Sequence, residues 1–142
     1  MKAKNIGYWI TTGLVAAAFA FGGAMDLSGS AEVLAGMAHL GYPAYFATVI
    51  GVWKVLAAVA LLAPGLPRLK EWAYAGIVFD LTGAAISHLA VGDGMGKAAA
   101  PIILCVLAAA SWALRPSTRI LGSLPLGASQ PDTLAGARAT AS

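Results

Sequence analysis

The chain has 142 residues, of which 59% are hydrophobic and only 11% are charged. So few polar groups cannot cover the surface of a water-soluble protein of this size. The composition therefore indicates an integral membrane protein that is embedded in the lipid bilayer. The net charge of +3 does not indicate a nucleic-acid partner, because the basic residues flank hydrophobic segments and form no dense basic face. With one cysteine, Cys105, the chain cannot form an intramolecular disulfide or a Cys-x-x-Cys redox pair.

Four apolar segments are candidates for crossing the bilayer, at residues 6–25, 44–63, 72–91 and 98–114. The first carries no charge, and at ~1.5 Å per residue it reaches ~30 Å, the thickness of the hydrocarbon layer. Lys2 and Lys4, followed by this segment with Ala18-Phe19-Ala20 inside it, also resemble a signal peptide, but the apolar run is long for one and three more segments follow. The sequence predicts an all-α integral membrane four-helix bundle, antiparallel and up-down, over residues 1–115.

A short helix is predicted between the first two spans, over residues 31–40. Ser30 is a suitable N-cap, Glu32 lies in the first turn, and Gly41 follows the end. Apolar residues recur on one side at helical spacing, so we predict that the helix lies in the outer membrane interface. Residues 116–142 are rich in Gly, Ser, Ala, Pro and Thr and are predicted to form a disordered cytoplasmic tail.

The basic residues predict the orientation. If all four segments span, one side of the membrane carries Lys97 alone, and the other carries seven basic residues: Lys2, Lys4, Arg68, Lys70, Arg115, Arg119 and Arg138. This bias predicts that both termini and the loop at residues 64–71 are cytoplasmic. Four polar groups are then predicted to face the outer side, namely Asp26, Glu32, His39 and Asp93.

Two charged residues fall near the middle of predicted spans, Lys54 in the second and Asp80 in the third. Each would cost ~2.5–3.5 kcal/mol if it were left alone at the bilayer centre, so we expect them to form an ion pair or to share a polar cavity. Small residues lie on the same helix faces and would let the two helices approach closely. Such a pair is either a static strut that fixes helix register or part of a ligand, ion or proton site.

His39 and His88 both fall toward the outer side, where they could join Asp26, Glu32 or Asp93 in a metal, haem or quinone site. No His-x-x-x-His or His-Glu-x-x-His spacing is present, so we predict interfacial hydrogen bonding and no metal site. The candidate intramembrane site consists of Lys54, Asp80, Ser87 and His88. Trp53 is predicted to pack in the core rather than against a ligand, and no catalytic residue is predicted.

Several short stretches resemble the DoxX-like family of small four-helix bacterial membrane proteins. They are Leu40-Gly41-Tyr42-Pro43, Gly51-Val52-Trp53-Lys54, Glu71-Trp72-Ala73-Tyr74-Ala75-Gly76 with Phe79-Asp80, and Ser87-His88-Leu89 followed by Gly92-Asp93. Their order and spacing match over about residues 6–114. The resemblance implies a four-helix bundle in the bacterial inner membrane, and it implies that Lys54, Glu71, Asp80 and His88 belong to a family pattern. The founding member is the small subunit of a thiosulfate:quinone oxidoreductase, whereas the branch resembled here consists mostly of proteins with no assigned reaction.

Three functional hypotheses follow. The first is a membrane or quinone-facing subunit of an oxidoreductase complex, in which a partner subunit supplies the redox centre because the chain has no recognisable cofactor motif. The second is a protein that binds or admits a small lipophilic molecule, with a homo-oligomer required for any permeation. The third is a structural or chaperone-like membrane protein. A self-sufficient enzyme is disfavoured because no nucleophile, metal or cofactor site accompanies Asp80 or His88.

Overall fold

The computed structural model describes residues 2–120 and Gly122, and over these residues all regular structure is helical. The helices are α1 (Lys2–Ser28), α2 (Ala31–His39), α3 (Tyr45–Leu62), α4 (Pro67–Ala90), α5 (Met95–Ala113) and a short 3₁₀ helix (Ser117–Arg119). Within the described residues, α1, α3, α4 and α5 are long and apolar enough to cross a membrane. This confirms the prediction of a membrane protein with four candidate spans.

Two of the long helices extend further than the hydropathy pattern predicts. Helix α1 continues past residue 25 to Ser28, so Asp26 lies inside the helix and not in a connecting loop. Helix α4 begins at Pro67 rather than at residue 72. Proline suits the first turn of a helix because its missing N–H would have no partner there. The charged residues Lys70 and Glu71 therefore lie on α4 and not in a loop.

The N-cap prediction for the short helix is confirmed. The backbone N–H of Val33 donates a hydrogen bond to Ser30 Oγ over 3.3 Å, so that one of the free donors at the start of α2 is satisfied. The helix ends at His39, and Gly41 takes a positive φ of 82°, a conformation that glycine adopts without strain. None of the residues of α2 is buried. Its place in the membrane interface remains a prediction.

The four long helices pack in a ring in which each contacts two others. Helix α1 packs against α3 and α5, and α4 packs against α5 and α3. The core between them includes Val15, Phe19, Leu61, Ile77 and Leu81. The contact between α1 and α3 is the most extensive and that between α3 and α4 the least extensive of the four. The antiparallel order of the helices remains a prediction.

Two glycines account for the closeness of α1 and α3. A Cβ atom added at Gly23 would lie 2.9 Å from the carbonyl oxygen of Gly51, and one added at Gly51 would lie 3.0 Å from the carbonyl oxygen of Gly23. Both distances are too short for ordinary carbon–oxygen contact, so a side chain at either position would push the backbones apart. The small residue at position 51 therefore serves packing against α1, and not against α4 as predicted from the helix face of Lys54.

Lys70, on α4, caps the C-terminal end of α3. Its side chain is fully buried, and Nζ donates hydrogen bonds to the carbonyl oxygens of Ala60, Leu61 and Ala63 over 2.7, 2.9 and 2.5 Å. The last carbonyls of a helix have no partner within it and carry the negative end of the helix dipole. The lysine side chain satisfies these carbonyl groups, so Lys70 has a structural role at the end of α3.

The same end of the bundle carries a cluster of aromatic and charged side chains. Arg115 pairs with Glu71 over 2.6 Å, and Glu71 also accepts a hydrogen bond from Trp112 Nε1 over 3.0 Å. Arg119, in the 3₁₀ helix, places its guanidinium 4.7 Å from the ring centre of Trp9. The predicted tail thus begins with a helical turn that packs against α1. Beyond residue 120, all of the predicted tail except residue 122 lies outside the described residues.

Candidate ligand-binding site

A large cleft lies where the ring of helices is least tightly packed, between α3 and α4. Its volume is about 710 Å³, within the range of pockets that bind small organic molecules. Trp53, Trp72 and Phe79 line the cleft and are 67%, 80% and 74% exposed, so the cleft opens sideways between the two helices. A side opening in a membrane span faces lipid. Trp53 lies at this opening, so the prediction that it packs in the core is wrong.

The lining is apolar except at a few positions. Phe19 from α1, Met37 and Leu40 from the region of α2, and many aliphatic and aromatic residues of α3 and α4 form the walls. The polar residues are Tyr42, Lys54, Asp80, Ser87 and His88. All four members of the predicted intramembrane site therefore line one cleft. The alternative prediction of a shared cavity for Lys54 and Asp80 agrees with this arrangement.

Lys54 forms its ion pair with Asp26, which was predicted to face the outer side of the membrane. Lys54 Nζ donates a hydrogen bond to Asp26 Oδ2 over 2.8 Å, and the two side chains are only 23% and 13% exposed. No ion pair between Lys54 and Asp80 occurs in the described part of the chain, so the predicted partner is wrong. The physical reason is the extension of α1 to Ser28 and its close approach to α3 at Gly23 and Gly51, which together bring Asp26 to the depth of Lys54.

Asp80 lines the cleft without an internal partner. Among the hydrogen bonds and ion pairs of the described residues, none involves its carboxylate, and its side chain is neither fully buried nor fully exposed. The neighbouring positions on the same face of α4 are small, since Gly76, Gly83 and Ala84 also line the cleft. A Cβ atom at Gly76 or Gly83 would meet nothing within 4 Å, so these glycines leave space and do not support a close helix contact.

A second, smaller cavity adjoins the cleft on the side of α1 and α5. Its volume is about 230 Å³, and α1 and α5 contribute apolar residues such as Ala18, Pro101 and Leu104. Five residues line both spaces, namely Phe19, Lys54, Asp80, Ala84 and His88. The charged side chains Lys54 and Asp80 therefore lie at the boundary between the cleft and this smaller cavity.

Two polar links hold the end of the cleft near α2. Tyr42, in the connection between α2 and α3, shares a hydrogen bond of 2.8 Å with Ser87 on α4. Its ring stacks on Phe46 with a centroid distance of 4.5 Å, so the phenol is held by its face and by its hydroxyl. Tyr42 is missing from the predicted site. Its position in the resembling stretch around residue 42 was the one signal in the sequence that pointed to it.

The second link runs through Asp93, which joins both histidines. Asp93 Oδ1 lies 2.8 Å from His39 Nε2, and Asp93 Oδ2 lies 2.7 Å from His88 Nδ1. These hydrogen bonds, first that from His88, hold the pKa of the Asp93 carboxyl below its ordinary value. The structure thus selects Asp93 from the three acidic residues that the sequence offered as partners of the histidines. The bridge ties the end of α2 to α4.

The other predicted outer residue stands apart from the cleft. Glu32 is exposed in the first turn of α2, and within the described chain it makes neither a hydrogen bond nor an ion pair. Across the same residues, no group of three or more His, Cys, Asp and Glu side chains is arranged to hold a metal ion. In the bridge at Asp93, the imidazole nitrogens are directed at carboxylate oxygens and not at a common centre.

Comparison with known proteins gives a match to one protein family. The model of one family, described as the DoxX-like family, matches residues 10–111. The matched region is well over half of the chain, and it contains α2, α3, α4 and every residue that lines the cleft. Neither the comparison with curated proteins nor that with solved structures gives a match.

Proposed function

This chain belongs to the DoxX-like family, and we propose that it binds a small lipophilic molecule in the cleft between α3 and α4. The observation that carries the proposal is the presence of Lys54 and Asp80 in the wall of an otherwise apolar cleft of about 710 Å³. Ionisable residues inside a membrane span are costly, and a site that orients the polar end of an apolar ligand is a common reason for their presence.

The shape of the cleft supports entry from the bilayer. Trp53, Trp72 and Phe79 form an exposed aromatic margin, and the end near α2 is held by the Tyr42–Ser87 and Asp93 links. A ligand dissolved in lipid would therefore pass between α3 and α4, with its apolar part on the aromatic walls. Its polar end would reach Lys54 and Asp80, which lie where the cleft borders the smaller cavity.

The proposal is tested by filling the cleft. Gly76→Leu and Gly83→Leu place a large side chain in free space along the cleft, and leucine is a better helix former than glycine by up to ~1 kcal/mol, so both variants should fold. Gly13→Leu is the matched control, because Gly13 is exposed on α1, also has free space around it and lines neither cavity. The measurement is mass spectrometry of small molecules that stay bound after purification in a mild detergent.

We expect the wild-type chain and Gly13→Leu to retain the same lipophilic compound and both cleft variants to lose it. Retention of that compound at equal stoichiometry in all four proteins would contradict binding in the cleft. Absence of any bound compound, together with no effect of added decylubiquinone on the melting temperature, would contradict the proposal as a whole. Decylubiquinone is a suitable probe because it combines an apolar tail with a head group that can accept hydrogen bonds from a lysine.

A second candidate function is a quinone-facing subunit of an oxidoreductase complex. The observation that favours it is the donor group of Lys54 beside a cleft that admits a lipid-soluble ring, together with the subunit role implied by the family resemblance. A partner subunit would supply the redox centre. Purification from native membranes should then yield a redox protein in fixed stoichiometry, and isolation of the chain with no such partner and no quinone would count against this role.

We propose that both termini are cytoplasmic and that the chain lies in the bacterial inner membrane. Lys70, Arg115 and Arg119 lie at one end of the helix ring, near the start of α1, and Lys97 lies near the start of α5 at the other end. Single-cysteine labelling tests the orientation after Cys105→Ala removes the native thiol. An impermeant maleimide should label Lys97→Cys in intact cells and Lys4→Cys only after lysis, and the opposite pattern would reverse the assignment.

A further inference from the structure

The balance of charge around the cleft is uneven. Lys54 is paired with Asp26 at 2.8 Å, so that the positive charge is already matched by one carboxylate. Asp80 is a second carboxyl group, on the α4 side of the cleft opposite Lys54 on α3, and it makes no internal hydrogen bond or ion pair in the described structure. One lysine thus stands against two carboxyl groups. The surplus negative charge must be balanced by a proton on Asp80 or by a cation that enters the cleft.

The other helices packed around Asp80 do not supply that cation. In the linings of the two cavities, α5 contributes Ala100, Pro101 and Leu104, and α2 contributes the apolar Met37. The remaining titratable groups are His88, whose Nδ1 is bound to Asp93, and Tyr42, whose hydroxyl is bound to Ser87. Of the described residues that line the cleft, Lys54 is the only lysine or arginine.

We propose that the cleft binds lipophilic cations and that each bound cation displaces a proton from the Asp80 carboxyl group. The inference rests on the proposed function, since it names the class of ligand for the same cleft. In the empty cleft, the proton on Asp80 avoids an unpaired carboxylate in the membrane. On binding, the O–H bond of Asp80 breaks, the proton leaves to water, and the carboxylate pairs with the cation, so that the charge in the site is unchanged.

The aromatic walls suit such a ligand. Trp53, Trp72 and Phe79 line the cleft, and the faces of aromatic rings attract cations whose charge is spread over apolar groups. A lipophilic anion would instead meet Asp80 directly, and Lys54, the one cation nearby among the described lining residues, is already paired with Asp26. The cleft should therefore discriminate between ligands of equal size by the sign of their charge.

The experiment uses tetraphenylphosphonium and tetraphenylborate, which share a shape and differ in the sign of their charge. Binding to the purified full chain in detergent micelles is measured by calorimetry from pH 4 to 9, in buffers of different ionisation enthalpy, with protein-free micelles as background. We expect tetraphenylphosphonium affinity to rise by up to about tenfold per pH unit where Asp80 is protonated, with about one proton released per cation. Tetraphenylborate should show no such binding above the background.

Variants localise the effect. Asp80→Asn should abolish the pH dependence and the proton release and lower tetraphenylphosphonium affinity at least tenfold. Asp80→Glu should retain the affinity, the pH dependence and the proton release of the wild-type chain. Gly76→Leu should block the cation as well, and Gly13→Leu should not. The pH dependence and the proton count are measured on the wild-type chain, so the test stands even if Asp80→Asn fails to fold.

The outcomes separate this inference from the proposed function. Binding of decylubiquinone that Gly76→Leu blocks, without tetraphenylphosphonium binding or with cation binding that is independent of pH, would overturn the cation inference and leave the proposed function standing. Equal binding of the phosphonium and the borate would also overturn it. Failure of every probe to bind, together with the absence of any compound retained from the membrane, would overturn both.

Discussion

Lys54 on α3 lies 2.8 Å from Asp26 in the last turns of α1, and this pair sits one helical turn from the closest approach of the two helices at Gly23 and Gly51. The glycines let the backbones meet, and the ion pair joins the helices where they would otherwise bury two separate charges. As a result, α1 and α3 form the most closely packed side of the bundle, whereas α3 and α4 leave space between them for the cleft.

The glycine contact predicts that Gly23→Ala destabilises the protein. The new methyl group would lie 2.9 Å from the Gly51 carbonyl oxygen, which is backbone and cannot move without shifting α3. We expect a loss of about 1–3 kcal/mol in the free energy of unfolding, measured by denaturant titration in mixed micelles. Gly13→Ala is the control, because a methyl group there meets no atom within 4 Å and only improves helix propensity. Equal stability of the two variants would show that α1 and α3 are not in close contact at Gly23.

The ion pair predicts a specific coupling between Asp26 and Lys54. Asp26→Asn leaves the lysine charge without its partner at low exposure and should cost about 3 kcal/mol, the lower part of the range for a broken buried pair. The double variant Asp26→Asn with Lys54→Met removes both charges and should recover part of this loss. Unfolding free energies of the singles and the double give the coupling energy.

A double-mutant cycle between Lys54 and Asp80 is the control for the cycle between Lys54 and Asp26. A second cycle between Lys54→Met and Asp80→Asn should give a smaller coupling energy, because these residues line the same cleft from α3 and α4 without an ion pair in the described structure. A larger coupling to Asp80 than to Asp26 would contradict the pairing in the structure and would favour the pair predicted from the sequence.

Some features of the fold depend on local sequence pattern, and others depend on packing between helices. Hydropathy and length predict the four spans, and Ser30 predicts the start of α2, because these signals lie within one segment. The partner of Lys54 depends on where α1 ends. Hydropathy ends the span at residue 25, just before the charged Asp26, but the helix continues to Ser28 because its backbone hydrogen bonds do not require apolar side chains.

The cleft could not be predicted for a related reason. Small residues such as Gly76 and Gly83 on one face of a helix are compatible with close packing or with empty space. The prediction from the sequence was close packing of the two helices. In the structure, α3 packs closely on α1, where Gly51 permits the approach, and less extensively on α4, so space remains beside Gly76 and Gly83. Lys70 was counted as a cytoplasmic charge, and its burial against the end of α3 follows from the turn at residues 63–66, which no periodic pattern encodes.

Lys70 is expected to stabilise the fold through its three carbonyl contacts. Lys70→Met keeps much of the side-chain volume but leaves the carbonyl oxygens of Ala60, Leu61 and Ala63 without their donor. Since hydrogen bonds to a charged group contribute about 1.5–3 kcal/mol, we expect a loss of at least about 2 kcal/mol in the free energy of unfolding. Lys97→Met, at an exposed position of α5, should change it by less than about 0.5 kcal/mol. Similar losses in the two variants would mean that Lys70 contributes only charge.

Asp93 predicts a pH dependence at the α2 end of the cleft. Its hydrogen bonds with His88 and His39 hold the pKa of its carboxyl below the ordinary 3.8, so the ionised form is favoured by folding. A carboxyl group with a lowered pKa contributes stability above its unfolded value, and this contribution is lost as the pH falls through the folded-state pKa. Asp93→Asn should therefore lower the melting temperature at pH 7, and the difference from the wild-type chain should shrink as the pH falls below 3.8.

Hydrogen exchange gives the local measurement for the same variant. Because Asp93 connects His39 at the end of α2 with His88 on α4, Asp93→Asn should speed exchange in α2 (Ala31–His39) more than in α1. Glu32→Gln removes an exposed carboxylate of α2 that makes no hydrogen bond within the described residues, and it should leave both the exchange rates and the pH profile unchanged. If Glu32→Gln changed α2 as much as Asp93→Asn, the effect would come from net charge and not from the bridge between the histidines.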